Sequence, residues 1–335
     1  MSRRVQLAVS LAVTAAALWY SLHGLDFRES LAALRSIRPG WLAVVVLLAA
    51  VSLWLRGRRW RFILSTLGPL GDTPVFEATC IGFMGNMVLP LRAGEIIRPM
   101  VAARSGAVRM PSALATVAIE RLLDLAMLAV LASITLTLVP GGPELRGVAR
   151  AMLGLVAVAL VALVASIRWA EPIERFVERV ATRLPDAVGH AVVDGARGFL
   201  VGVRGLSSPA ALTSAMAWSA AVWLATVAGF MASALAMDLA APLVPLGFAV
   251  TVIVAAAVSV PSAPGFIGVF WAGSQMALAL FGIDRSTALS YGLLNWVVQM
   301  VVILSMGAWA LSRLDLSLGE VAQAARAEEA EEGAT

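Results

Sequence analysis

Apolar positions run along this chain in long blocks, without the strict alternation of a half-buried strand or the single apolar stripe of a soluble helix. Six blocks, at about 5–22, 41–55, 112–139, 148–167, 209–237 and 286–312, approach or exceed the ~20 residues that cross a bilayer core. The first follows Arg3 and Arg4 as a signal peptide would. No small-x-small cleavage site precedes a polar domain, so it is read as a retained helix. Two further blocks are interrupted. Residues 75–103 contain Gly82, Gly85, Pro90, Gly94 and Pro99, and residues 243–283 contain Pro245, Pro261, Pro264, Gly265 and Gly268. Such residues break helices, and a membrane accepts the freed backbone only where it faces protein or a wet cavity. Both blocks are read as re-entrant, broken helix hairpins. The predicted fold is all-α: a polytopic integral membrane helix bundle.

Arginine placement predicts its orientation. Arg3, Arg4, Arg56, Arg58, Arg59, Arg61, the six arginines of residues 168–208 and Arg313 fall on one side if each hairpin returns to the side it entered. That side is expected to be the cytoplasm, with both termini there, in the cell inner (cytoplasmic) membrane. The opposite loops are poorer in arginine, although Arg28, Arg35 and Arg38 form a mild exception. This topology predicts two inverted repeats of span, broken hairpin and span, with Pro90 and Pro264 174 residues apart. Broken segments at matching places in two opposed halves point to a transporter site near the midplane. The 169–208 loop carries Ile173, Phe176, Val177, Val180 and Leu184 at helical spacing among arginines. It suits a helix in the cytoplasmic interface or a connector packed on the bundle. The 316–335 tail is acidic and expected to be disordered.

Composition narrows the chemistry. Hydrophobic residues make up 60% and charged residues 14% of 335. All 25 basic residues are arginine, which removes lysine nucleophiles, Schiff bases and the P-loop lysine. One cysteine, Cys80, excludes an internal disulfide, and two histidines make histidine-centred catalysis or a histidine metal site a poor fit. No enzyme activity, cofactor, metal or nucleic acid is expected. A net charge of +4 favours anionic partners, with phospholipid headgroups nearest at hand.

The densest polar cluster is Asn86…Pro90-Leu91-Arg92-Ala93-Gly94-Glu95-Ile96-Ile97-Arg98, followed by Glu120, Arg121 and Asp124 at the start of the third span. Intramembrane charges are expensive, so they pair or face a cavity. Arg92, Arg98 and Arg121 balance Glu95, Glu120 and Asp124. Such a network serves either as a structural clasp or as a site for an anionic or zwitterionic headgroup, with arginine making bidentate phosphate contacts. With Asn86, these six are the candidate substrate-binding residues. Pro90, Gly94, Pro261, Pro264, Gly265 and Gly268 are the candidate re-entrant hinges. The uncharged second break offers a tight turn, or a helix N-terminus near Gly265 able to hold an anion. Asn295 and Gln299 suit hydrogen bonds between helices, and Trp54, Trp60, Trp169 and Trp309 suit interfacial anchors.

Three motifs in order, Asn86…Leu89-Pro90-x-Arg92-x-Gly94-Glu95-x-x-Arg98, Ala115-Thr116-Val117-x-x-Glu120-Arg121-x-x-Asp124 and Pro261-x-Ala263-Pro264-Gly265-x-x-Gly268-Val269, resemble the lysylphosphatidylglycerol synthase transmembrane-region family, also called flippase-like domain proteins. The resemblance covers about residues 5–312 and implies a lipid-flipping membrane domain. Family relatives are linked to hopanoid and dolichol-linked sugar pathways, so it leaves the cargo open. Members often carry Glu after the Gly-Val-Phe stretch and Tyr-Arg in the last span, where this chain has Trp271 and Asn295-Trp296. Both departures remove charge, which favours a cargo less charged than an aminoacyl lipid. The synthase's soluble aminoacyl-transferase domain is not expected here. The functional expectation is a flippase or scramblase for a phospholipid or related amphipathic lipid. The alternatives are a non-transporting partner of an envelope-lipid enzyme and a membrane enzyme using the three carboxylates on lipid phosphates.

Overall fold

The computed structural model describes residues 3–24, 27–104, 106–139, 169–182, 186–205 and 208–317, with isolated positions within 147–161 and 319–323. The predicted span at 148–167 and most of the 316–335 tail lie outside them. Every regular element among the described residues is a helix. In chain order they are α1 (Arg3–Leu22), α2 (Phe27–Arg35), α3 (Pro39–Leu64), α4 (Asp72–Val88), α5 (Gly94–Ala103), α6 (Met110–Leu138), α7 (Ala170–Ala181), α8 (Asp186–Gly205), α9 (Pro209–Ala236), α10 (Leu243–Ser259), α11 (Val269–Ala279) and α12 (Arg285–Arg313). By length and composition, α3, α9 and α12 are apolar enough to cross a membrane.

The long helices start where local chemistry lets them. Proline occupies the first turn of α3, α6 and α9, where its missing N–H costs no helical bond. The Asp284 side chain accepts the Thr287 N–H at 2.8 Å to cap α12. The α3 helix runs nine residues beyond the predicted end at Leu55. Gly57, Trp60, Ile63 and Leu64 continue its buried stripe, so packing carries the helix through four arginines.

Both interrupted blocks are broken helices. Leu89 and Val260, each preceding a proline, leave α4 and α10 in extended conformation. Single 3₁₀ turns follow at Pro90–Arg92 and Pro264–Phe266 before α5 and α11 resume. The third residue of each turn, Arg92 or Phe266, has φ 57°. Glycine is required beside the first break: a Cβ on Gly94 would lie 1.9 Å from the Gly82 carbonyl oxygen, so α4 and α5 close only without one. Element lengths recur. A 17-residue helix, a three-residue turn, a helix of 10 or 11 residues and a 29-residue helix occur in that order twice. The packing recurs with them, since α4 lies on α12 and α10 lies on α6, while α3 and α9 share the most extensive interface.

Polarity is inverted relative to a soluble domain. Leu11, Trp19, Leu47, Leu224, Met276 and Val301 are exposed, whereas Arg59, Arg98, Glu120, Asp124, Gln275 and Asn295 are buried. The charged connector joins the bundle through α8, where Gly198 faces Ser112 at the start of α6 and a Cβ would come within 2.4 Å of the Ser112 Cα. The α7 helix packs on α8 and leaves Trp169 and Phe176 exposed.

Candidate functional site

Three helical pairs build the polar interior. Glu120 and Asp124 are four apart on α6, Ser219 and Trp223 are four apart on α9, and Arg56 and Arg59 are three apart on α3. Side chains at these spacings share a helix face. Arg59 is the hub. Its Nη1 and Nη2 donate to the two Asp124 carboxylate oxygens at 2.6 and 3.3 Å, and its Nε donates to Glu120 at 3.3 Å. Nη1 also reaches the Ser219 hydroxyl at 3.4 Å. Arg98, from α5, donates to the other Glu120 oxygen at 2.7 Å while lying 3.7 Å over the Trp60 ring. Trp60 donates to the Thr116 hydroxyl at 2.9 Å, and Trp223 donates to Asp124 at 3.2 Å. Glu120 is fully buried and Arg59 is 2% exposed. Two cations thus meet two anions in a charge-balanced, buried network, with Arg98 Nε and Nη2 left without hydrogen-bond partners beside the Trp60 ring.

Through Asp124 and Trp223 the network reaches a cavity of about 400 Å³. Its charged lining is Arg56, Arg92, Glu95, Arg121 and Asp124, all from the first half, and its amides are Asn86 and, from α12, Asn295 and Gln299. Its apolar lining comes from α3, α4, α6, α9, α10, α11 and α12 and from Phe266 of the second turn. Arg121 sits 3.7 Å from Glu95 and 3.6 Å from Asp124, a looser contact than that of Arg59. Arg92 spans the two breaks: it donates to the Val258 carbonyl of α10 and packs 5.6 Å from the Phe266 ring centroid. The Asn86 Oδ1 is buried without a hydrogen-bond partner.

The six charged candidates therefore divide. Arg98 and Glu120 belong to the buried network with Arg59, and Arg92, Glu95 and Arg121 line the cavity with Asn86. Asp124 does both. The hinge candidates sit at the breaks. Pro90 and Pro264 open the 3₁₀ turns and Gly94 starts α5. Pro261 lies in the segment between α10 and the second turn, where the Ala263 N–H donates to the Thr14 hydroxyl. Gly265, at φ 70°, accepts the Trp296 indole N–H at 2.7 Å, and Gly268, at φ 80°, lies against Leu18 of α1. Of the two alternatives at the second break the chain takes the tight turn, Pro264–Phe266, and the next α-helix starts at Val269, because Gly265 and Gly268 adopt left-handed conformations that a right-handed helix excludes. Asn295 accepts from Ser233 of α9 at 2.8 Å and donates to Tyr291, tying two helices together. Trp60 is no interfacial anchor, being fully buried under Arg98, whereas Trp54, Trp169 and Trp309 are exposed.

Arg59 and Arg56 are the functional-site residues that the sequence reading assigned to topology. The signal that finds them is the spacing of Leu53, Gly57, Trp60 and Leu64, which carries α3 past residue 55 and turns both arginines inward. Among the described residues no group of three His, Cys, Asp or Glu comes together to hold a metal ion.

Residues 7–307 match the model of the lysylphosphatidylglycerol synthase transmembrane region, and the chain belongs to that family of integral membrane proteins. A glycosyltransferase, AglD, of Haloferax volcanii is 34% identical over 137 residues. That match covers 41% of this chain and 22% of the relative, so the chain spans about a fifth of that protein's length.

Proposed function

We propose that this member of the lysylphosphatidylglycerol synthase transmembrane-region family moves an amphipathic lipid between leaflets, as a flippase or scramblase. The observation that carries the reading is a charged cavity, inside a bundle with an apolar exterior, at the place where two broken helices meet. A headgroup would enter the cavity while its chains stay in the bilayer, against the apolar lining. On this reading the two halves are inverted repeats about α3 and α9, both termini are cytoplasmic, and the membrane is the cytoplasmic membrane. Recurrent element lengths support the repeat, and the arginine distribution supports the orientation. Arg92, joining the two breaks, is placed to report which side is open.

Enzymatic use of the carboxylates is disfavoured. Glu120 and Asp124 have their oxygens engaged by Arg59, Arg98 and Trp223, Glu95 faces Arg121, and among the described residues the three carboxylates form no metal-binding group. The decisive test is reconstitution in proteoliposomes with fluorescent phospholipids and a membrane-impermeant quencher. Translocation above the protein-free rate, reduced by Arg92→Ala, supports the reading. Equal rates with and without protein across a broad lipid panel refute it.

A second reading is favoured by one specific observation, the exposed Trp169 and Phe176 beside the α7–α8 hairpin. That face suits a partner surface, and the partial match to a relative named as a glycosyltransferase fits a domain that serves an envelope-lipid enzyme. Stoichiometric recovery of such an enzyme with the full chain, lost on Phe176→Asp, separates this role from transport.

A further inference from the structure

The buried network balances its own charges, so the field in the cavity is set by what remains. Arg56, Arg92 and Arg121 face it, and Glu95 is the one carboxylate there that Arg59 does not hold. Asp124, though it lines the cavity, has both oxygens bound by Arg59 and a further bond from Trp223. Three cations against one free carboxylate leave the cavity positive.

Arg56 differs from the other two. Arg121 faces Glu95 and Asp124, and Arg92 is committed to the Val258 carbonyl. Among the described residues Arg56 has no ion-pair partner, and it rests 5.5 Å from the Phe83 ring centroid. A half-buried arginine without an ion pair on a cavity wall suits an anion, and its planar fork matches a phosphate better than a point charge does. Asn86 also lines the cavity, and its carboxamide NH₂ is a donor type that suits a hydroxyl or ester oxygen.

The cavity is poorly equipped for a cation. Of the six aromatic side chains on its lining, Phe83 and Phe266 already carry Arg56 and Arg92 on their faces, and the case against a cation rests on the surplus of arginine charge. Glu95 faces Arg121. An aminoacyl or choline headgroup would place its positive charge among three arginines with no spare carboxylate.

We infer that the cavity takes a net-anionic lipid phosphodiester with an uncharged, hydroxylated headgroup, and that Arg56 is its principal contact. This rests on the lipid-translocator reading and narrows its cargo.

The test is binding to the full-length protein in detergent, measured by microscale thermophoresis. The probes are dihexanoyl phosphatidylglycerol, dihexanoyl phosphatidylcholine, lysyl-phosphatidylglycerol of the same chain length, and glycerophosphoglycerol without chains. The expected result is binding of phosphatidylglycerol at least tenfold tighter than of the other three. Arg56→Gln abolishes that preference and Arg58→Gln, at the exposed pair with Asp72, leaves it intact. Arg56 makes no ion pair, so Arg56→Gln leaves the buried network whole, and an unchanged elution profile and unfolding temperature verify this. Equal affinity for the zwitterionic or lysyl lipid, or an unchanged Arg56→Gln, overturns the inference. Equal binding of chain-free glycerophosphoglycerol overturns its lipid part and assigns the site to a soluble phosphodiester. In proteoliposomes, anionic binding with no lipid movement rejects the translocator and keeps the site. Movement of all headgroups alike, unaffected by Arg56→Gln, rejects the site and keeps the translocator.

Discussion

Removing Arg59 should damage the fold more than removing any other single arginine of the site. Arg59 makes three carboxylate contacts, at 2.6, 3.3 and 3.3 Å, from a position 2% exposed. In Arg59→Gln, Glu120 keeps Arg98 at 2.7 Å, so its loss is partial. Asp124 keeps only the Trp223 N–H at 3.2 Å and Arg121 at 3.6 Å. The cost therefore falls on a buried carboxylate left without its close cation, for which about 3–5 kcal/mol is the expected loss. Arg121, with a side chain 45% exposed and contacts of 3.6–3.7 Å, should cost about 1 kcal/mol or less. Adding Asp124→Asn to Arg59→Gln removes the orphaned charge and should recover roughly 2 kcal/mol as coupling. Unfolding in detergent micelles, followed by the fluorescence of the ten tryptophans, reads the wild type, Arg59→Gln, Asp124→Asn, the double variant and Arg121→Gln. The reasoning fails if Arg59→Gln lies within about 1 kcal/mol of the wild type, or if the two substitutions are simply additive.

Other expectations follow from particular contacts. Gly94→Ala should prevent closure of the first break, with a loss of more than about 3 kcal/mol and aggregation on size exclusion. Gly307→Ala should be milder than Gly94→Ala but still destabilising, because its Cβ meets the Met84 side chain from Cβ at 2.6 Å outward and not a backbone carbonyl. Asn295→Ala removes the Ser233 bond between α9 and α12 and should cost about 0.6–1.7 kcal/mol by the same unfolding assay. Partial burial pushes the Asp284 carboxyl up, but the Thr287 and Ser286 donors outweigh it and hold the group below its ordinary value. Its capping contribution is therefore present at neutral pH and lost as pH falls through that lowered value. Protection at the first turn of α12, corrected for the intrinsic pH dependence of amide exchange, should fall on acidification, and Asp284→Ala should lower it at neutral pH and converge with the wild type below that value.

Much of the architecture was legible because the bilayer imposes a simple rule on sequence. Length and apolarity marked α3, α9 and α12, and Pro90, Gly94, Pro264 and Gly268 marked the breaks, since these residues act locally on the backbone whatever surrounds them. The charged residues of the site were legible as a group for the same reason: a charge inside a membrane needs a partner. Their partners were not. Arg59 reads as a topology marker in the chain and becomes a hub only because α6 and α9 bring Glu120, Asp124 and Ser219 to it across 61 to 160 positions. Arg98 and Arg92, six residues apart with similar surroundings in sequence, end in a buried network and on a cavity wall. The break at Ala93 separates their directions, and α10 supplies the carbonyl that Arg92 reaches. Helix length and interruption are local properties of a chain in lipid. Which arginine is neutralised and which is left facing a cavity depends on distances between helices, and those exist only once the helices have packed.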